Sequence, residues 1–94
     1  MRIEFDPQKN AKNISERELS FERAIEFNFN DAVVKQDIRK AYPEDRFIAI
    51  GFLGNGARLH VLCFTPIADG IRVISFRKAH TKEVKEYEQT FPHD

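Results

Sequence analysis

Apolar and polar positions divide this chain into a weakly patterned first half and a strongly patterned second half. Arg2-Ile3-Glu4-Phe5 alternates as a short strand does. Asp6-Pro7 then supplies a helix start, with Asp as the cap and Pro in the first turn. Gln8 to Arg17 reads as a polar helix with few core anchors, such as Ala11 and Ile14. Ser20 reads as a second N-cap, opening a helix whose Phe21, Ala24, Ile25 and Asn28 share one face. From Asn28 to Asp45 periodicity fades. The pattern there predicts a connection with a short extended piece around Ala32-Val33-Val34, closed by a turn at Tyr42-Pro43-Glu44-Asp45.

The second half is clearer. Arg46 to Leu53 is a near-continuous apolar run, as a central strand covered on both faces requires. Gly54-Asn55-Gly56 is a hairpin signal, because Asn-Gly tolerates positive φ at both positions. Arg58 to Thr65 is the return strand, and Pro66 to Gly70 a longer turn. Ile71 to Arg77 forms the last strand. Thr81 caps a final helix with Val84, Tyr87 and Phe91 facing inward. The expected order is β-α-α-β-β-β-α, an α+β fold with a mainly antiparallel sheet and helices packed against it. The chain forms one domain over residues 1–94, within the usual size of a single hydrophobic core.

Charge changes this picture in one place. Fifteen basic and fifteen acidic residues balance, which argues against unspecific, salt-driven nucleic-acid binding. Yet Arg72 to Lys85 holds five lysines and arginines, plus His80, against the single acid Glu83. A strand carrying cations into a basic first helical turn suits a phosphate, and RNA is the anion this reading favours. In a regular strand Arg72 would share the face of Ile74 and Phe76, whereas Arg77 would follow Ile71, Val73 and Ser75. The two arginines converge only if the strand ends, twists or bulges near Ser75–Lys78. The bland alternative is a solvated edge, with Lys82 and Lys85 pairing Glu86 and Glu88 along the helix.

Other chemistries find little support in the sequence. His60, His80 and His93 are scattered without metal-ligand spacing, so neither a metal nor another cofactor is expected. Cys63 sits mid-strand among apolar residues, as a small hydrophobe does, and being alone forms no internal disulfide. With no membrane-length apolar run and no signal-peptide pattern, the expected compartment is the cytoplasm. An RNA nuclease would need a base for a 2′-hydroxyl, cations for the phosphoryl oxygens and an acid for the leaving 5′ oxygen. Arginines fit the cationic role, and Glu83, His80 or Glu44 are the proton-transfer candidates, with Tyr87 as a hydrogen-bond donor. His80, Lys82 and Lys85 are candidate RNA contacts. Exposed phenylalanines as stacking platforms in a single-stranded RNA binder form a weaker reading.

Several blocks together resemble the BrnT toxins of bacterial type II toxin–antitoxin systems. They are Phe5-Asp6-Pro7 with Lys9 and Asn13, Ser20-Phe21 with Ala24, Glu44, and Arg46-Phe47-Ile48-Ala49-Ile50-Gly51. Arg72-Val73-Ile74-Ser75, Arg77-Lys78-Ala79, Glu83 and Tyr87 complete the pattern. The resemblance implies a RelE-like fold and a metal-independent ribonuclease that inhibits translation by cleaving RNA. It also implies a BrnA-like antitoxin that neutralises the toxin in a heteromeric complex. By resemblance the catalytic set is Arg46, Arg72, Arg77 and Lys78, with Glu83 and Tyr87 supporting. Three places depart from the family pattern: Arg17-Glu18-Leu19 lacks the usual histidine, Phe64-Thr65-Pro66-Ile67 lacks an arginine, and Phe76 replaces a small residue. These departures motivate the alternative, a catalytically weakened toxin-like scaffold acting as a protein-binding module.

Overall fold

A computed structural model describes residues 1–54, 56 and 58–92. The hairpin signal at Asn55 and the histidine at 93 lie outside the described residues. Five strands form one sheet in the order β1-β5-β4-β3-β2. They are β1 (Arg2–Glu4), β2 (Val33–Gln36), β3 (Phe47–Phe52), β4 (Leu59–Ile67) and β5 (Gly70–Lys78). β2 to β5 run antiparallel to their neighbours, whereas β1 joins β5 in parallel, so the sheet is mixed. A side chain at Gly70 would overlap the main chain of Arg2, so glycine is what lets β1 dock there.

The expected order is corrected in three respects. The extended piece before Asp37 is a full edge strand, β2, paired with β3 from Val33↔Ile50 to Gln36↔Phe47. One bonded edge and three exposed residues of four leave it no alternation to read. The turn between β4 and β5 is short: Ile67 already faces Gly70, and Pro66 lies inside β4. Proline is tolerated there because the β3 ladder ends at Phe47↔Phe64, leaving no donor required on that side.

The second expected helix is a 3-10 segment, Phe21–Glu26. With three residues per turn, i and i+3 eclipse while i+4 swings away. Phe21 and Ala24 are therefore buried, and Ile25 stands 54% exposed. Ser20 caps the segment as expected, its hydroxyl accepting from the Glu22 amide at 3.2 Å.

Helix α1 (Pro7–Arg17) starts as the sequence indicates, with the Asp6 carboxylate accepting from the Gln8 amide. Its anchors are different. Ala11 and Ile14 are exposed, and the one buried residue is Asn13. The Asn13 amide donates to the carbonyls of Leu19 (2.9 Å) and Phe76 (3.0 Å), while its oxygen accepts from Arg17 at 2.7 Å. Asn10 accepts from the Phe21 amide at 2.8 Å. This polar helix is held by directional hydrogen bonds rather than an apolar stripe.

Each sheet face has its own core. On one, Phe21, Ala24 and Phe27 pack over Leu62, Phe64, Val73 and Phe76. On the other, helix α2 (Thr81–Thr90) covers Ile50, Leu59 and Val61 through Val84 and Tyr87, with Phe91 alongside. The α2 cap is His80 rather than Thr81, and the Glu83 carboxylate accepts from the His80 amide at 2.7 Å. α2 covers only one end of its face. The other end stays open.

Asn13→Ala leaves two buried carbonyls without a donor, which costs ~1–3 kcal/mol. Urea denaturation of that variant should show a lower midpoint with an unchanged slope.

Candidate active site

Residues paired across a sheet share a face, so the register decides which side chains can meet. Phe64 pairs with Val73 and Cys63 with Ser75, leaving Ile74 as an extra residue in β5. This bulge lies just before the segment where convergence of the arginines requires one. Thr65↔Arg72, Cys63↔Ser75 and Val61↔Arg77 consequently fall on one face, the face of α2. The regular-strand expectation, which separated Arg72 from Arg77, is overturned by one inserted residue.

The open end of this face is a cleft of about 520 Å³. Ile48, Cys63 and Ser75 floor it. Arg77, Lys82, Glu83 and Glu86 form one wall, and Lys35, Asp37 and Arg39 the other. Lys82, Glu83 and Glu86 share this side because residues three and four apart lie on one helical face.

Arg77 is held with care. Nη1 and Nη2 donate to the two Glu83 oxygens at 3.0 and 3.2 Å, and Nη1 also donates to the Lys78 carbonyl at 3.1 Å. A guanidinium has five N–H groups. Nε–H and one Nη2–H remain, a side-on fork without a partner among the described residues and suited to two phosphate oxygens. Glu83, bonded by Arg77 and by the His80 amide, has its pKa lowered to about 2. It is a fixed anion at neutral pH and a poor base. Glu86 differs: its Oε1 accepts from Lys35 Nζ at 2.7 Å, and Oε2 has no partner among the described residues. The expected pairing of Glu86 with Lys82 or Lys85 is thus replaced by Lys35.

The loop after β2 is organised by the buried Asp37 carboxylate. It accepts from Arg39 Nε (2.9 Å) and Nη2 (2.8 Å) and from the Tyr42 hydroxyl (3.2 Å). The Arg39 bonds hold this carboxyl far below its usual range. The Asp37 amide donates to the Arg46 carbonyl, extending the β2–β3 ladder by one row.

The remaining expected site residues are dispersed. Arg72 shares the face but pairs with Glu4 at 2.8 Å, outside the cleft lining. Arg46 pairs with Glu44 at 3.2 Å and lies 4.2 Å from the Tyr42 ring centre, beyond Asp37. Lys78 pairs with His60 and faces the opposite side of the sheet from Arg77. Burial lowers the pKa of that His60, whose ring rests on Phe76. His80 is exposed at the start of α2, and Lys85 points away from the cleft. Tyr87 is buried against Phe52 and Phe91, and its hydroxyl donates to the Asp31 carbonyl at 3.0 Å. It pins α2 to the approach of β2. Sequence reasoning missed Lys35, Asp37, Arg39, Ser75 and Glu86 as cleft residues; only the α2 spacing of Glu86 signalled its place.

These features define a small α+β protein with a cleft of about 520 Å³, lined by paired charges of both signs, on one open sheet face. Over residues 5–83 the chain matches a family described as ribonuclease toxin, BrnT, of type II toxin–antitoxin system. The chain belongs to that family. No curated protein matches it. Membership carries a protein antitoxin as partner and RNA as substrate class. The matched span ends at Glu83, so Glu86 and Tyr87 lie beyond it. Among the described residues no three His, Cys, Asp or Glu side chains gather as a metal set, and no helix is long and apolar enough to cross a membrane.

Two outcomes follow. The Glu83 pKa is lowered from 4.5 to about 2, so its ion pair stabilises the fold above about pH 4.5 and that stability is lost as pH falls through about 2. Denaturation of wild type and Glu83→Gln should differ at pH 6 and converge as pH approaches 2. Tyr87→Phe should lower stability by ~1 kcal/mol through the lost Asp31 bond, read as a lower urea midpoint.

Proposed function

We propose that the cleft is the active site of a metal-independent endoribonuclease. The observation that carries this reading is the side-on fork of Arg77, held at its end by Glu83 on the open sheet face to which the Ile74 bulge brings it. A phosphodiester seated there binds the fork bidentately. Glu86 takes the proton from the 2′-hydroxyl, whose oxygen then bonds to phosphorus as the bond to the 5′ oxygen breaks. Lys82, without an ion-pair partner among the described residues, donates the proton that the departing oxygen takes up. Arg77 and Lys82 meet the charge growing on the phosphoryl oxygens, and Lys35 orients Glu86. Glu83 is a positioning residue.

On this reading the scaffold is RelE-like, RNA cleavage in the cytoplasm inhibits translation, and a BrnA-like antitoxin neutralises the chain in a heteromeric complex. Arg46, Arg72 and Lys78 act outside the reacting centre.

A second reading is favoured by two observations: among the described residues no histidine lines the cleft, and Asp37 and Glu83 are both held as low-pKa carboxylates. A scaffold with such a cleft would serve as a protein-binding module. Induction without the antitoxin separates the two, since arrest of growth supports the nuclease and normal growth with folded protein supports the module.

End-labelled RNA incubated with purified protein in EDTA tests the chemistry. Arg77→Ala should slow cleavage by ~10²–10³, and Glu86→Gln by ~10²–10⁴, with circular dichroism unchanged. Full cleavage by Arg77→Ala would remove the basis of the assignment.

A further inference from the structure

β1 pairs only with Gly70 to Arg72, so among the described residues β5 has no strand partner from Val73 to Lys78 on its outer side. Helix α1 occupies that side, joined to it by the bond from Asn13 to the Phe76 carbonyl. Two further hollows, of about 260 and 470 Å³, flank this edge. They share residues with the cleft and with each other. Ser75 lines the cleft and the smaller hollow, Arg77 the cleft and the larger one, and Arg17 both hollows. Through these shared residues the three adjoin as a furrow, a path from the cleft past the outer edge of β5 and along α1.

The furrow is cationic. Lys9 and Lys12 line its α1 end, Arg17 its middle, and Lys78 and His80 the stretch nearest the cleft. Lys9, Lys12 and Lys78 have no ion-pair partner among the described residues. The acids on this path are Glu16 and Glu18, fewer than the cations. Lys78, which the sheet register removes from the cleft, is accounted for here.

We propose that this furrow is a second RNA-binding site, which holds the backbone of single-stranded RNA flanking the scissile phosphate. The inference rests on the nuclease reading of the cleft and extends it. A strand entering the cleft must leave it, and Ser75 and Arg77 are where the furrow opens. Lys9 and Lys12, on successive turns of a rigid helix, meet successive phosphates without reading bases. This binding is electrostatic and length-dependent, although the whole chain is neutral.

The test compares wild type with Lys9→Gln/Lys12→Gln, both exposed positions. Fluorescence anisotropy with 2′-O-methyl oligonucleotides of three and twelve nucleotides reads binding without cleavage. Wild type should bind the longer strand more tightly, and the variant should lose that preference. The slope of log affinity against log salt for the longer strand should fall by about 1.4, or ~0.7 per lost phosphate contact on a single strand. Cleavage of an unmodified trinucleotide should be equal in both proteins. Equal affinity of both proteins for the twelve-nucleotide strand overturns the furrow, while trinucleotide cleavage keeps the nuclease reading. Unchanged RNA affinity with weakened antitoxin binding reassigns the furrow to the protein partner. A wild type that neither cleaves the trinucleotide nor binds either oligonucleotide removes both readings.

Discussion

Between Cys63 and Phe64 the β4–β5 ladder accommodates one extra residue, Ile74, and the placing of every charged side chain on β5 follows from it. Strand side chains alternate, so a one-residue shift exchanges the faces of everything beyond it. With the bulge, Phe76 fills the core against Leu62 while Arg77 opens onto the cleft. Without it, burying Val73 would force Phe76 out and Arg77 into an apolar layer, where an unpaired cation is costly. The irregularity is tolerated because, among the described residues, the outer side of β5 has no strand partner there. The furrow borders this same edge.

The second organising device is the pairing of cations with carboxylates at the cleft. Arg77 is matched with Glu83, Lys35 with Glu86 and Arg39 with Asp37. Partly exposed pairs add little stability, and their weight here is orientational. Glu83 occupies the end of the Arg77 guanidinium and leaves its side free. Lys35 engages one oxygen of Glu86 and leaves the other free. A neutral chain thus presents directed donors and acceptors without a diffuse positive field.

Much of the fold was legible because its central strands are apolar and its turns carry strong signals. β3, β4, β5 and α2 lie close to their expected places: β3 and β4 are buried on both faces and leave a dense pattern, while β5 and α2 each keep a periodic inward face. β2 was obscure because an exposed edge strand obeys few constraints of its own. α1 was legible as a helix, but its attachment was not, because Asn10 and Asn13 look like ordinary polar helix residues until their distant carbonyl and amide partners are known. For the site, local spacing carried Lys82 and Glu83. The bulge was foreseen only as a condition for Arg72 and Arg77 to meet, and it places them on one face while leaving Arg72 with Glu4. Lys35, Asp37 and Arg39 come from the segment with no periodicity, and tertiary pairing alone brings them to the cleft.

The parallel docking of β1 on β5 joins Arg2 to Gly70, one of the longest spans of sequence in the sheet. Such non-local pairing is late to form, because a large loop must close before any contact offsets the entropy. The cleft shares this timing, since Ser75, Arg77, Lys82 and Glu86 all belong to the last quarter of the chain. A chain growing from its N-terminus therefore holds none of the β5–α2 wall until residues 75–86 have been added. The cleft is a late product of chain growth, closed only after β2 and β3 already exist.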